Sequence, residues 1–222
     1  MPNGYLHRYF LNNANKRLHK WVHYFDIYER HLERFRDARV VMLEIGVFGG
    51  GSLEMWKEYL GPDATIVGLD IDPECAKHAR DGIDVFIGSQ DDPLIIHEIV
   101  RKYPQIDIVL DDGSHRMDHT VRTFELAYHR ISANGVYIVE DTHTCYWPDY
   151  GGGLGRDGTF MELAKAKMDE INAVHSKGAL AVSDFTRTTN SITCYDSVVV
   201  FERRPQGHRQ APITGPMDPD SA

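Results

Sequence analysis

Short apolar runs alternate with amphipathic stretches along most of the chain. The apolar runs have the length and the bounding turn residues of β-strands. The stretches between them repeat apolar residues at helical spacing and begin at residues such as Ser52 and Asp92, which cap helices. Strands that alternate with helices predict an α/β fold with a mainly parallel sheet. The predicted strands are 40–45, 65–70, 83–87, 106–110 and 136–139, with a hairpin at 191–201.

The N-terminal region has a different pattern. Residues 1–14 are polar and aromatic without a clear period, which predicts a flap or a short helix. Over residues 14–36, apolar and aromatic side chains recur on one face at helical spacing. An amphipathic helix that covers the sheet is the simpler interpretation, and a dimer contact or a substrate lid is the alternative. His19, His23 and His31 lie on or near this helix without clustered carboxylates, so we expect them at its surface or rim.

The C-terminal third of the chain contains a loop, a helix, the hairpin and a tail. Residues 142–158 are rich in glycine and aromatic residues, which predicts a mobile binding loop. A helix is predicted at 160–175, and the polar chain beyond Arg204 predicts a disordered tail. The predicted organisation is an N-terminal flap and helix at 1–36, a main α/β domain at 37–204 and the tail at 205–222.

Composition narrows the class of protein without changing the predicted fold. The 222 residues suffice for one α/β domain. The net charge of -9 argues against a nucleic-acid partner, because phosphate binding needs a basic surface. Three separated cysteines, Cys75, Cys145 and Cys194, indicate neither a disulfide framework nor a zinc site. The sequence has neither a signal-peptide pattern nor an apolar run long enough for a membrane span, so we expect a cytoplasmic protein.

A glycine-rich turn follows the first predicted strand, within residues 44–52. Its glycines allow positive φ angles and close approach of a ligand, and Ser52 is placed to cap the following helix. Because ligands bind at the carboxyl ends of the strands in open α/β sheets, we expect this turn to line a nucleotide-like cofactor site. Glu44 precedes the first glycine, Gly46, and would repel a pyrophosphate, so we expect a cofactor without phosphates. A tight connection that binds no ligand is the alternative.

Polar residues also end the second and third predicted strands. Asp70 occupies the position at which nucleotide-binding folds hold the two ribose hydroxyls, whereas Asp72 is better placed to cap the next helix. Ser89 and Gln90 would offer hydroxyl and amide groups to an adenine ring. A polar turn at the start of a helix explains Ser89 and Gln90 equally well.

Carboxylates follow the fourth and fifth predicted strands, at Asp111-Asp112 and Glu140-Asp141. If these strands are neighbours about 5 Å apart, then Asp112, Glu140 and Asp141 meet at one point. A divalent cation there would compensate for their mutual repulsion, and an all-oxygen ligand set favours Mg²⁺ or Mn²⁺. Asp111, nearest the strand, is expected to face the cofactor. Helix capping and solvated loop charge are the alternative interpretation of these acids.

Two histidines lie close in sequence to these carboxylates. His115 or His143 as a ligand would add a nitrogen atom and allow zinc. A histidine beside a metal-bound oxygen is more useful as a general base, so we expect His115 to act as the base.

Together these motifs resemble the class I S-adenosylmethionine-dependent methyltransferases. More narrowly, they resemble the metal-dependent O-methyltransferases that modify sugar hydroxyls on macrolides and other glycosylated natural products. The resemblance implies a Rossmann-like α/β fold, with a seven-stranded, mostly parallel sheet in the order 3-2-1-4-5-7-6 and helices on both faces. It covers residues 40–145, and the matching stretches are 44–52, Asp70, 88–90, 111–115 and 140–141.

The resemblance also implies how the cofactor is bound. The cofactor is S-adenosylmethionine, and Glu44, Gly46 and Asp111 correspond to residues beside its methionine portion and the glycine turn. Asp70 corresponds to the residue beside the ribose. The other expected cofactor contacts are Ser52, Ser89 and Gln90.

The implied reaction is metal-dependent transfer of the methyl group to a hydroxyl of a hexose such as mannose or rhamnose, free or in a glycoconjugate. The metal, Mg²⁺ with Mn²⁺ as the alternative, corresponds to a site made by Asp112, Glu140 and Asp141. Bound there, it would chelate two vicinal hydroxyls, and His115 would accept the proton. The expected acceptor contacts are His143, Tyr146 and Trp147, because aromatic rings stack on sugar faces.

Other functions remain open at this point. A catechol or phenol O-methyltransferase would use the same cation on a flat acceptor. A nicotinamide-dependent oxidoreductase would share the fold and Asp70, but no Tyr-x-x-x-Lys pair follows the fifth strand and Glu44 stands where a pyrophosphate would lie. A binding module without catalysis is a third possibility. The compact single domain is also similar to sugar 1-O-methyltransferases of methylmannose polysaccharide synthesis, and the aromatic stripe within 14–36 favours a homodimer.

Overall fold

A computed structural model of the chain describes residues 4–215. The seven strands are β1 (Val41–Ile45), β2 (Thr65–Asp70), β3 (Ile83–Ile87), β4 (Ile106–Asp111), β5 (Ile131–Val139), β6 (Thr189–Tyr195) and β7 (Val198–Arg203). The α-helices are α1 (Tyr5–Leu11), α2 (Tyr24–Leu32), α3 (Gly51–Leu60), α4 (Pro93–Lys102), α5 (Met117–Ala127), α6 (Phe160–Glu170) and α7 (Asp184–Thr188). Short 3-10 helices lie at Glu33–Phe35, Pro73–His78, Tyr128–Arg130, Thr142–Tyr146, Pro148–Tyr150 and Ala173–His175.

All seven strands form one sheet in the order β3-β2-β1-β4-β5-β7-β6, which confirms the predicted fold class and strand order. The first five strands are parallel, and the β6–β7 hairpin adds the antiparallel edge. The strand order reverses between β1 and β4, where Ile45 pairs with Asp111. The adjacent pair, Asp111 with Val139, brings the end of β5 to the same point. The carboxyl ends of β1, β4 and β5 therefore surround the position at which such sheets bind ligands.

Alternate residues of each central strand face opposite sides of the sheet and pack into two apolar layers. On one side, Met42 of β1 packs with the buried aromatic residues of α2 and α3. On the other side, Leu43 packs with residues of α4, α5 and α6. Helices on both faces of a parallel sheet bury its strands completely, as the burial of every residue in β4 illustrates.

The predicted helix over residues 14–36 is wrong in its first part. Residues 12–23 have no regular helix, and α2 begins only at Tyr24. This irregular segment packs instead against the glycine turn, where the Gly51 N–H donates to the Arg17 carbonyl oxygen at 3.1 Å. The Lys20 side chain enters the protein interior, which an amphipathic surface helix would not allow.

The apolar face of α2 covers the sheet, as the simpler interpretation predicted. Tyr24, Phe25, Tyr28 and Leu32 are all buried in the same layer as Met42. The part of the stripe on α2 is therefore used inside the molecule, whereas Trp21 and Val22 before it remain exposed.

The expectation that His31 lies at the surface or rim is wrong, because His31 is buried against β6 and β7. Its Nδ1 lies 3.1 Å from Glu202 Oε1 and its Nε2 lies 2.9 Å from the Tyr195 hydroxyl. Both partners come from the C-terminal hairpin, so the histidine joins α2 to the edge of the sheet.

Several element boundaries differ from the prediction. Strand β5 begins at Ile131 rather than at residue 136, because Ile131 already pairs with Ile106 of β4. The register then shifts over residues 132–135, where Gly135 packs against the Asp107 carbonyl oxygen, and regular pairing resumes at Val136. The helix expected after β2 is a 3-10 helix, Pro73–His78. The loop 142–158 contains two 3-10 turns, and the Gly153 N–H donates to the Cys145 carbonyl oxygen at 2.8 Å.

The described part of the predicted tail, residues 205–215, has no helix or strand. Gln206 nevertheless connects it to the domain, because its backbone N–H donates to the Arg187 carbonyl oxygen at 2.7 Å. Residues 216–222 of the predicted tail and residues 1–3 of the predicted flap lie outside the described residues, and the division into 1–36, 37–204 and 205–222 stays a prediction. Within residues 4–215, no helix combines the length and the apolarity that crossing a membrane requires.

Candidate functional site

The glycine turn after β1 brings the backbone of β1 against the end of β4. Gly46 has a φ angle of 94°, and a Cβ atom there would lie 2.0 Å from the Asp112 carbonyl oxygen. Gly50, with a φ angle of 72°, precedes α3. Any side chain at Gly46 would both strain the backbone and collide with the β4 turn, so glycine alone keeps this part of the site open.

The structure does not place Glu44 or Ser52 at the cofactor surface. Glu44 is 0% exposed, its Oε2 accepts from the Ser52 hydroxyl at 2.7 Å, and its Oε1 accepts from Trp56 Nε1 at 3.0 Å. Burial raises the pKa of Glu44, and these donors together with Lys20 counteract that effect. The two residues form a buried network beneath the turn, where the low dielectric makes each hydrogen bond necessary.

Asp70 holds the glycine turn in place from the end of β2. Its Oδ2 accepts from the N–H groups of Val47 at 2.8 Å and Phe48 at 3.1 Å, and its Oδ1 accepts from the Asp72 N–H at 2.9 Å. Partial burial would raise the pKa of Asp70, but the N–H groups of Asp72, Val47 and Phe48 hold it below its usual value. Asp70 remains half-buried and borders two adjoining cavities, a larger one of about 380 Å³ and a smaller one of about 180 Å³. Asp72 accepts from the Glu74 N–H at 2.9 Å, as expected of a helix cap.

The side chains of Gln90 and Asp111 form a second buried network. Gln90 Nε2 donates to Asp111 Oδ1 at 3.0 Å, and Gln90 Oε1 accepts from the Ser114 N–H at 2.7 Å. Burial raises the pKa of Asp111 to about 7, and its hydrogen bonds from Gln90, Gly113 and Tyr137 oppose that rise. Asp111 thus supports the site from below and does not face a cavity, whereas Gln90 and Ser89 border the smaller cavity.

The acids at the ends of β4 and β5 lie together around a lysine. Lys20 Nζ is 2.6 Å from Asp112 Oδ2 and 3.0 Å from Glu140 Oε2, and it lies 3.6 Å from Glu44 Oε1. Its side chain is 2% exposed. In the described structure, the predicted metal ligand Glu140 therefore has its carboxylate occupied by the Lys20 ammonium and by the Tyr28 hydroxyl, which donates at 2.5 Å.

Charge balance in this cluster is incomplete. Burial would lower the pKa of Lys20, but the negative charges of Asp112, Glu140 and Glu44 hold it above its usual value. Burial and the charge of Asp112 raise the pKa of Glu140, against the opposing effect of Lys20. One ammonium group thus faces three carboxylates, and the cluster is short of positive charge.

A second arrangement of ligand atoms lies on the other side of Asp112. His115 Nε2 is 3.7 Å from Asp112 Oδ1 and 3.5 Å from Asp141 Oδ2. One ligand atom from each of these three side chains lies within 4.8 Å of the other two, a spacing compatible with a shared metal ion. His115 and Asp141 also have positive φ angles, 57° and 52°. Such backbone strain is found preferentially at functional sites.

Two tyrosines of α2 donate hydrogen bonds to the acids. The Tyr24 hydroxyl donates to Asp141 Oδ1 at 2.6 Å, and the Tyr28 hydroxyl donates to Glu140. Burial raises the pKa of Tyr24 and of Tyr28, and the neighbouring carboxylates add to this effect, so both phenols act as donors.

None of the predicted acceptor contacts lines the larger cavity. His143 Nδ1 lies 2.5 Å from the Ser197 hydroxyl, and its ring packs edge-on to Trp147. Trp147 is 48% exposed, and Tyr146 is exposed beside it. Trp21, 52% exposed, packs against the other side of His143 and does line the cavity. These rings form an aromatic rim next to the acids.

The larger cavity, of about 380 Å³, is lined by both the glycine turn and the acids. Its lining includes Gly46 and Asp70 together with Asp112, His115 and Asp141. The smaller cavity, of about 180 Å³, extends past Asp70 to Ser89 and Gln90. Gly46, Asp70 and Gly113 border both cavities, so the two are continuous around the strand ends.

Comparison with curated proteins finds relatives among natural-product methyltransferases. The 8-demethyl-8-alpha-L-rhamnosyl tetracenomycin-C 2'-O-methyltransferase of Streptomyces olivaceus is 33% identical over 197 residues, which cover 83% of this chain and 52% of the relative. Mycinamicin VI 2''-O-methyltransferase of Micromonospora griseorubida is 38% identical over 155 residues, which cover 65% of this chain and 38% of the relative. A search of protein-family models finds no match.

Solved structures show the same relationship. The MycE methyltransferase from the mycinamycin biosynthetic pathway, in complex with Mg, SAH and mycinamycin VI, superposes with a TM-score of 0.79 at 30% identity. The superposition covers 97% of this chain and 56% of that one. The chain has the class I methyltransferase fold and is related to sugar O-methyltransferases. It spans about half the length of the curated relatives that it matches.

Similarity at the level of fold alone extends further. A putative caffeoyl-CoA O-methyltransferase from Staphylococcus aureus has a TM-score of 0.53 at 13% identity, which indicates a shared fold only.

The local sequence pattern did not indicate that Lys20, Tyr24 and Tyr28 are neighbours of the acids. The tyrosines carried a usable signal, because a buried phenol needs a hydrogen-bond partner.

Proposed function

We propose that this chain transfers a methyl group from S-adenosylmethionine to a hydroxyl group of a sugar, with the help of a divalent cation. The observation that supports this most directly is one cavity whose lining includes both Gly46 and Asp70 and the possible metal ligands Asp112, His115 and Asp141. Such an arrangement would hold a nucleoside cofactor next to an acceptor bound at the acids. The names of the relatives given above describe enzymes that act on glycosylated natural products. This similarity favours a sugar as the acceptor.

The residues that line the two cavities suit the cofactor. Asp70 stands where they meet, with oxygen lone pairs left to accept from ribose hydroxyls. The smaller cavity would take the adenine beside Ser89 and Gln90. The glycine turn lets the methionine portion approach the backbone near Gly46, because no Cβ atom projects there.

The charge of the acidic cluster fits a divalent cation. The carboxylates of Asp112, Glu140 and Glu44 share one ammonium group. Asp112, Glu140 and Asp141 line the larger cavity. Hard oxygen ligands favour Mg²⁺, with Mn²⁺ as the alternative. Asp112 and Asp141 would hold the cation, and Glu140 would be the third oxygen ligand. When bound, the cation would lower the pKa of a coordinated sugar hydroxyl.

The chain's own residues would complete the reaction. His115 Nε2 faces the space between Asp112 and Asp141, so it would take the proton from the acceptor hydroxyl. The resulting oxygen attacks the methyl carbon, the carbon–sulfur bond breaks, and the electron pair stays on sulfur. Gly46 and the turn would hold the sulfonium in line with that oxygen.

The acceptor we propose is a hexose such as mannose or rhamnose, free or within a glycoconjugate or polysaccharide. Trp21, Trp147 and Tyr146 present half-exposed rings at the rim of the site, suited to the apolar face of a sugar.

We also propose that the protein is a homodimer and that it is located in the cytoplasm. Size-exclusion chromatography with light scattering tests the oligomeric state.

The test uses purified protein, labelled methyl donor and a panel of hexoses and their glycosides, with a catechol as the competing acceptor. We expect methylation of at least one sugar in the presence of Mg²⁺ and its loss after chelation. The variant Asp112→Ala is expected to abolish the metal-stimulated rate. Equal methylation by metal-stripped protein would overturn the metal assignment. Methylation of the catechol alone would show that the acceptor is a flat aromatic ring and not a sugar. An increase in melting temperature with NAD but not with S-adenosylmethionine would favour an oxidoreductase.

A further inference from the structure

Lys20 occupies the place where the carboxylates of Asp112 and Glu140 converge. Its Nζ lies within 3.1 Å of one oxygen of Asp112 and both oxygens of Glu140. Both oxygen atoms of the Glu140 carboxylate therefore have the Lys20 ammonium as a partner. A buried ammonium group in this position supplies the positive charge that the acids require in the absence of another cation.

A divalent cation bound to the same oxygens cannot keep the ammonium group in place. Two positive charges a few ångströms apart in a buried site repel each other strongly, and both need the same lone pairs. For Glu140 to become a ligand of the cation, Lys20 must therefore move away. Glu140 would then exchange one positive partner for another of higher charge.

The segment that carries Lys20 is built in a way that permits such a movement. Residues 12–23, here called the Lys20 segment, form no helix or strand. It contacts the domain on both sides of Lys20. Before it, Lys16 pairs with Glu54 at 2.7 Å and the Arg17 carbonyl oxygen accepts from the Gly51 N–H, and after it the Trp21 ring packs against the His143 ring. Lys20 itself is held by its side chain. His19, Lys20 and Trp21 all line the larger cavity, so a displacement of Lys20 changes the shape of that cavity.

We propose that Lys20 and the divalent cation compete for Asp112 and Glu140, and that cation binding withdraws Lys20 and moves the cavity wall formed by the Lys20 segment. This proposal rests on the proposed function, because it assumes that the acids bind a metal. It also accounts for the division of roles in the site. Once Lys20 leaves, Glu140 joins Asp112 and Asp141 as an all-oxygen ligand set, and His115 is left to accept a proton.

The first test compares the Mg²⁺ and Mn²⁺ affinities of the wild type and of Lys20→Met by isothermal titration calorimetry in the absence of acceptor. Removal of the competing ammonium is expected to lower the dissociation constant at least tenfold. The matched control is Lys16→Met, on the same segment but paired with Glu54 away from the acids, and it should bind metal as the wild type does. Equal or weaker binding by Lys20→Met would overturn the proposal.

The second test needs no variant and therefore stands even if Lys20→Met fails to fold. Limited trypsin digestion of the wild type, followed by mass spectrometry, measures cleavage after Lys20, which is buried in the described structure. Saturating Mg²⁺ is expected to accelerate this cleavage at least fivefold, while cleavage after Arg209 in the tail serves as the internal reference. Unchanged cleavage after Lys20 in protein that calorimetry shows to be metal-bound would overturn the proposal.

The two tests also separate this proposal from the proposed function. If both proteins bind metal with equal affinity, competition by Lys20 is refuted and the metal-dependent methyl transfer stands. If neither protein binds Mg²⁺ or Mn²⁺, both proposals fail.

Discussion

The Tyr28 hydroxyl donates to Glu140 Oε1 at 2.5 Å, and both side chains are buried. This hydrogen bond joins the first long helix of the chain to the end of β5, across 112 residues of sequence. It also satisfies one oxygen of a carboxylate whose other contacts come from Lys20. The position of Glu140, and with it the geometry of the acidic cluster, thus depends on α2 as well as on the sheet.

Replacement of this phenol tests how much the bond contributes. Tyr28→Phe keeps the ring and leaves Glu140 Oε1 short of a donor, so we expect a loss of about 1–3 kcal/mol in the free energy of unfolding. Urea denaturation at neutral pH measures it. The matched control is Tyr5→Phe, because Tyr5 donates to Glu58 at an exposed position, where the expected loss is about 0.5 kcal/mol. Equal losses in the free energy of unfolding for the two variants would show that the buried hydrogen bond to Glu140 stabilises the fold no more than the exposed one to Glu58.

Most of the fold could be predicted because it depends on local patterns. The apolar runs and the turn residues that follow them determine the strands, and the acids at strand ends fall at one edge once the strands are parallel. The hairpin of β6 and β7 has the same local basis. The boundaries of β5 and of the helix after β2 were less accurate, because both segments pack against residues distant in sequence. Gly135 lies against Asp107, and His78 of the 3-10 helix Pro73–His78 lies against Gly50.

The partners of the acids could not be predicted from local patterns. Lys20 lies in a stretch whose aromatic spacing continues that of α2, so the pattern predicted a surface helix there. Its partners are 92 and 120 residues away in sequence. His31 is a similar case, because the residue that explains its burial, Glu202, lies 171 residues further along. A tertiary contact overrode the local preference in both cases.

The role of Asp70 in cofactor binding can be tested by a substitution that keeps its size. Asp70→Asn removes the charge and presents an N–H₂ group to the N–H donors of Val47 and Phe48. Loss of a charged hydrogen bond costs about 1–3 kcal/mol, so we expect S-adenosylmethionine to bind roughly 10- to 100-fold more weakly by calorimetry. The control Asp92→Asn changes a helix cap outside both cavities and should leave the affinity unaltered. Unchanged binding by Asp70→Asn would remove Asp70 from the cofactor site.

The pair of His31 and Glu202 predicts a pH dependence of stability. The hydrogen bond from His31, followed by that from Arg34, lowers the pKa of Glu202 from 4.5 to about 2 in the folded protein, against the effect of partial burial. The ionised form is therefore favoured by folding, so its contribution is complete above pH 4.5 and is lost as the pH falls toward 2. Because solvent screens the pair, we expect a contribution of roughly 1 kcal/mol.

Denaturation curves between pH 7 and pH 2.5 check this expectation. Glu202→Gln should be less stable than the wild type at neutral pH, and the difference should shrink as the solution is acidified. Glu125→Gln, at an exposed position on α5 near Arg122, serves as the control and should follow the wild type. A difference between Glu202→Gln and the wild type that stays constant with pH would exclude titration of Glu202 as its cause.

His115 is the residue for which the geometry allows two roles, base and metal ligand, and one variant separates them. Its Nε2 lies 3.5 Å from Asp141 Oδ2 and 3.7 Å from Asp112 Oδ1, close enough for either role. If His115 is the base, His115→Ala should lower the turnover number by about 10²- to 10⁴-fold, while the Mg²⁺ and S-adenosylmethionine affinities stay within threefold of the wild type. His97→Ala, at an exposed position on α4 outside both cavities, is the matched control and should retain turnover. A fall in metal affinity that parallels the fall in turnover would make His115 a ligand, and Glu140 would then have no need to leave Lys20.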